Sequence, residues 1–206
     1  MEKPSLADDI AFARAMAEEG ATAPTLSGRF AIMWSAITIV GFLTHWAIAD
    51  NVIPVDISLV GFVWLAVGII GGIGTAILCY SLREKPGQFT AGNKAEAAGW
   101  PVIGVIVFGM AFAIGIGVAF RDQPPVLFDM IIPMAFGFYA VMTALSVKLF
   151  GTRSGRWRVA LAAIIAIMSS ALVGLPELYL IAAAGIVFTQ LIPGFSALRA
   201  EPKAVV

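Results

Sequence analysis

The chain has 206 residues, 60% hydrophobic and 13% charged, whereas ordinary soluble domains are roughly a quarter charged. A water-soluble fold cannot hide that much apolar surface, so the composition points to a lipid bilayer, where apolar side chains face outward as well as inward. Thirteen basic and thirteen acidic residues cancel, which excludes a general field for nucleic acid, and the lone cysteine, Cys79, excludes an internal disulfide or a thiolate metal cluster.

Residues 5–19 read as a cytoplasmic amphipathic helix, with Ser5 as N-cap, Asp8 three residues on, and Gly20 as the stop. Leu6, Ile10 and Ala13 recur at helical spacing, with Phe12 and Met16 alongside, giving the helix an apolar stripe to cover. Asp8, Asp9, Glu18 and Glu19 outweigh Arg14, and anionic inner-leaflet lipid favours basic helices instead. The stripe is therefore expected to dock on protein, either its own bundle or a cytoplasmic partner. The same acids, and the lack of a continuous apolar run, do not suit a cleavable signal peptide.

A spanning helix needs about 20 predominantly apolar residues. Six stretches reach that length, over residues 30–48, 57–80, 100–120, 126–147, 157–175 and 178–195. None alternates polar and apolar residues as a barrel strand does, so an all-α, polytopic bundle of about six spanning helices is expected. Its parts are a cytoplasmic helix and linker (1–28), a transmembrane domain (29–196) and a cytoplasmic tail (197–206). Cytoplasmic segments retain Lys and Arg; of the thirteen basic residues, only Arg121 falls on the opposite side from the rest when both termini lie inside. The expected location is a bacterial-type inner membrane. Gly28-Arg29-Phe30, Gly99-Trp100 and Gly155-Arg156-Trp157 open the outward-going helices alike, and acids near Pro54, Pro125 and Pro176 open the returning ones. Three related helical hairpins fit this pattern. Gly68 and Gly72, with Gly109, Ala113 and Gly117, form small-residue faces that suit close helix packing or self-association. Trp46 and Tyr179 read as anchors at the outer boundary, while Pro133 and Pro193 interrupt helices.

His45, the only histidine, lies near the outer end of the first span. With Asp56, Asp129 and Glu177 it makes a candidate polar or ion site at that surface, where a histidine responds to modest acidification and carboxylates attract cations. Tyr139 and Gln190 are the largest polar groups at depth and the candidate intramembrane lining. Thr143, Ser169, Ser170 and Thr189 are expected to satisfy one another or a backbone carbonyl. One histidine cannot build the usual haem, di-iron or zinc sites. The glycine-rich runs lack the lysine of a phosphate loop, and no paired catalytic groups occur at depth. The expectation is a non-enzymatic membrane protein without cofactor, carrying a docking helix and a stress-response or regulatory role. The alternative is a small cation- or proton-coupled transporter or channel subunit.

Overall fold

The computed structural model describes residue 10 and residues 26–83, 85, 91–150 and 155–201. Of the expected cytoplasmic helix, Ile10 is described, helical and exposed; Leu6, Phe12, Ala13 and Met16 lie outside the described residues, as does the tail from 202 onward. Among the described residues helices are the only regular secondary structure, joined by turns and without strands.

Helix α1 spans Gly28–Ala49. It ends at Asp50 and Asn51, and Asn51 takes the left-handed backbone (φ 58°) that asparagine tolerates better than most residues. A 3-10 turn, Ile57–Leu59, opens α2, Val60–Ser81. The Asp56 carboxylate caps this turn by accepting from the Ser58 N–H at 2.8 Å. Helix α3 covers Ala91–Arg121. A second 3-10 turn, Pro125–Met130, leads into α4, Ile131–Phe150, and α5 is Arg156–Ala171. The turn that follows needs a glycine, because Gly174 has φ 85°. Helix α6 runs from Glu177 to Ala200 and contains a π-helical segment, Val187–Leu191.

Five helices are long and apolar enough to cross a membrane: α1, α2 with its 3-10 turn, α3, α4 with its 3-10 turn, and α6. The sixth expected span is helical too, but α5 has 16 residues, which rise about 24 Å at 1.5 Å each. Helix α3 begins nine residues before the expected start at Trp100. Pro101 suggests a first-turn proline, yet the Ala-rich run before it extends the helix inward, past a proline that leaves the Ala97 carbonyl without its helical donor. Pro133 falls in the first turn of α4, where a missing N–H costs nothing, so it interrupts no helix.

The core lies among α1, α4, α5 and α6, centred on Phe42, Phe136, Ile165, Leu178 and Ile186. The most extensive contact is α4 on α5, while α1 packs between α2 and α6. Ala162 and Ala182 are completely covered, and their small side chains let neighbouring helices close in. Helices α2 and α3 stand outside: 11% of the most apolar stretch of α2 is buried and none of α3's, which suits surfaces that face lipid tails.

Glycines mark the closest approaches, only partly where the sequence pattern puts them. A methyl on Gly28 would lie 2.7 Å from the Leu198 backbone nitrogen and 2.9 Å from the Gly194 carbonyl oxygen, so α1 and the end of α6 cross backbone against backbone. Trp34 covers Gly71 and Met33 covers Gly74. Of the expected GxxxG pair, Gly68 lies under Phe108, but Gly72 has open space, as does Gly109. These two glycines point away from the rest of the chain.

Candidate functional site

A buried polar cluster joins four elements at the end of the bundle where α1 stops and α2, α4 and α6 start. Trp64, one turn into α2, donates its indole N–H to His45 Nδ1 at 3.2 Å. On its other side the His45 ring stacks on Tyr179 of α6, with centroids 3.7 Å apart and planes 23° from parallel. The Tyr179 hydroxyl donates to Asp129 Oδ1, on the 3-10 turn before α4. Phe42, one turn before His45, meets Trp64 edge-on at 4.8 Å. His45, Asp129 and Tyr179 are 8%, 7% and 6% exposed, so their polar atoms depend on these partners.

The geometry fixes the chemistry of the imidazole. An indole can only donate, so Nδ1 must carry the lone pair and a neutral His45 holds its proton on Nε2. The imidazolium has two N–H donors and no acceptor, and cannot keep the bond to Trp64. It would still lie over the Tyr179 ring, whose face attracts cations.

Of the four expected outer residues, His45 and Asp129 are brought together through Tyr179. The other two stand apart. Asp56 is exposed and turned to Ser58, whose hydroxyl and backbone N–H hold its carboxyl below the usual carboxylate range. Glu177 is exposed in the first turn of α6, where the helix dipole favours an acid. Trp64 and Tyr179 are the partners that sequence reasoning missed. Tyr179 is buried rather than an interfacial anchor; the available signal was that a buried Asp129 with no basic residue near it in sequence needs a hydroxyl donor.

The polar groups at depth serve the backbone. The Tyr139 hydroxyl donates to the Thr189 carbonyl, which an unbroken α-helix would pair with the N–H of residue 193; Pro193 has none. Thr143 and Thr189 hydroxyls donate to carbonyls four residues back, Tyr139 and Gly185, at 2.8 and 2.7 Å, and Ser170 does the same to Ala166. Ser169 Oγ is buried without a partner. The expected side-chain contacts across helices thus reduce to Tyr139, and Gln190 is half-buried next to Thr189.

At the opposite end, Glu201 accepts from Arg29 (3.0 Å to Nη2) and Lys85 (3.3 Å) while its own side chain is 5% exposed, and the Leu26 N–H donates to Asn93 Oδ1 at 2.7 Å. Nearby, α3 and α4 flank a groove of about 300 Å³ lined by Ala95, Glu96, Gly99, Met142, Leu145 and Ser146. Glu96 is hydrogen-bonded by Ser27 and lies within electrostatic range of Arg158, yet its Oε2 is buried without a hydrogen-bond partner. Glu96 lies before the expected third span (100–120), so the apolar pattern does not single it out. Among the described residues no three His, Cys, Asp or Glu side chains are grouped to hold a metal ion. Comparison with protein-family models, curated proteins and solved structures found no match.

Proposed function

We propose that this chain is a proton-responsive regulatory protein of a bacterial-type inner membrane, non-enzymatic, crossing six times with both termini in the cytoplasm. The positions of the basic residues support the topology, since Arg29, Lys85, Arg156 and Arg199 flank one set of helix ends and Arg121 the other. In this reading α5 crosses together with residues 172–175, the N-terminal arm docks on the bundle or a partner, and the His45 cluster faces outward. Tags at both termini and a third in the loop at 51–55 test the topology; a terminus on the same side as that loop would overturn it.

The Trp64–His45 hydrogen bond carries the regulatory reading. It requires the neutral ring, so it is present on the alkaline side of the His45 titration and is lost as pH falls through it. The other titratable groups facing the ring are Tyr179 and, through it, Asp129. Acid therefore shifts the contacts of His45 from α2 toward α6. Because α2 is little buried, loss of this bond loosens the α1–α2 seam, and that movement is the signal.

The test is the distance between spin labels at Val40 and Phe62, both exposed, in reconstituted Cys79→Ser protein. Acidification should widen it. His45→Gln, whose amide oxygen still accepts from Trp64 but does not titrate, should abolish the response. An equal response in His45→Gln would overturn the proposal.

A further inference from the structure

We propose that the groove between α3 and α4 is the seat of the chain's own N-terminal arm, with Phe12 and Met16 as the side chains that fill it. The proposal rests on the cytoplasmic placement of the termini, and three observations select this occupant. The first is where the arm joins the bundle. Leu26 is buried and its N–H donates to Asn93 Oδ1 at 2.7 Å, and Ser27 hydrogen-bonds Glu96. The arm therefore enters against the start of α3, whose next turn forms one wall of the groove. Residues 20–25, after the expected stop at Gly20, reach about 20 Å when extended, at roughly 3.3–3.6 Å each. That is ample to lay the arm across the opening.

The second observation is the lining. Ala95 and Ala98 of α3 and Met142 and Leu145 of α4 make the groove almost wholly apolar, which suits anchors projecting from an amphipathic helix. Met142 is near enough that a methyl on Gly99 would run into its terminal carbon, and a thioether packs favourably beside an aromatic ring such as that of Phe12. The third is charge. At about 100° per residue on a helix, Phe12 and Met16 share one edge, and Asp8, Asp9 and Glu19 lie within about 40° of it. Lys94 and Lys148, both exposed, stand close to the lining residues Ala95 and Ser146, so an acidic edge meets a basic mouth. Ile10 is helical and 61% exposed. On the same helix it points about 120° from Met16 and 160° from Phe12, which agrees with an arm seated on the other edge.

The test places the photo-crosslinker p-benzoylphenylalanine at position 12 of the full chain in lipid nanodiscs, with isotopically light and heavy chains mixed to tell adducts within one chain from adducts between two. Mass spectrometry should find the adduct on residues 95–99 or 142–146 of the same chain, and Ala98→Trp, which fills the groove, should suppress it. Phe12→Asp lies outside the bundle and cannot unfold it. Trypsin should cut after Arg14 about tenfold faster or more in that variant, as the loss of a buried aromatic implies. Adducts confined to lipid, to a second chain or to other residues, an unchanged yield in Ala98→Trp, or an unchanged cleavage rate would each overturn the proposal. None of these changes touches the His45 cluster, and the terminal tags test the topology separately, so failure here leaves the proton-responsive reading standing.

Discussion

Tyr139 donates its phenolic hydrogen to the carbonyl of Thr189, the group that Pro193 leaves without its helical donor. The pair explains why α6 tolerates a proline at depth. The ring of Pro193 would clash with the carbonyl four residues back, the helix widens into a π-turn over Val187–Leu191, and a hydroxyl from α4 satisfies the freed oxygen. Tyr139→Phe should therefore destabilise the protein by about 1–2 kcal/mol, the cost of stranding a buried acceptor. In a Pro193→Ala background, residue 193 supplies the donor, and the same change should cost well under half as much. Reversible unfolding in mixed micelles measures both; equal losses in the two backgrounds would show that the carbonyl does not depend on Tyr139.

The crossing of α1 and α6 gives a sharper packing test. Gly28→Ala places a carbon against the α6 backbone, where no side chain can yield, and should cost about 1–3 kcal/mol. Gly72→Ala meets nothing and should be neutral or stabilising by up to about 1 kcal/mol, the helix propensity of alanine over glycine. Thermal unfolding of the two variants, side by side, separates packing from propensity.

Asp56 should titrate below an ordinary aspartate, because Ser58 hydrogen-bonds its charged form. With the folded value depressed, the cap's contribution is complete above the unfolded value of about 3.9 and is lost as pH falls through the lower, folded one. Ser58→Ala removes the hydroxyl, keeps the backbone N–H, and should move the titration part of the way back up. Carboxyl-carbon NMR of Asp56 follows both changes. The pH response of the α1–α2 seam should be unaltered in Asp56→Asn.

Glu201 ties the start of α1 and the stretch after α2 to the end of α6 through Arg29 and Lys85. Its carboxylate is covered while both cations are about one-third exposed, so the bonds are stronger than those of an open surface pair. Glu201→Gln should cost about 1.5–3 kcal/mol, the range for hydrogen bonds to charged groups. Arg29→Gln should cost less, because Lys85 remains on the carboxylate. Denaturant unfolding checks the order of the two losses.

The apolar runs that became α1, α2, α4 and α6 were legible because lipid demands length and hydrophobicity from each span separately, and those are local properties. The start of α3 was not. Residues 91–99 are too polar to read as membrane, and Pro101 imitates a first-turn proline, so the nine residues that carry Glu96 fall outside the expected span. His45 and Asp129 were legible as outer-end groups, but their link through Tyr179 depends on how α6 is rotated against α1, which no single segment encodes. A GxxxG pattern likewise says that two faces can approach without saying which do; Trp34 settles on Gly71, and Gly72 points elsewhere.

The lack of burial along the apolar stretch of α3 makes the surrounding lipid part of its folding environment. Little protein contact fixes the tilt of this helix, so acyl-chain length and lateral pressure set it in large measure, and with it the width of the cleft beside Glu96. A thinner bilayer would lean α3 over and a thicker one would stand it upright. The shape of that cleft is then a property of the membrane as much as of the chain's own residues.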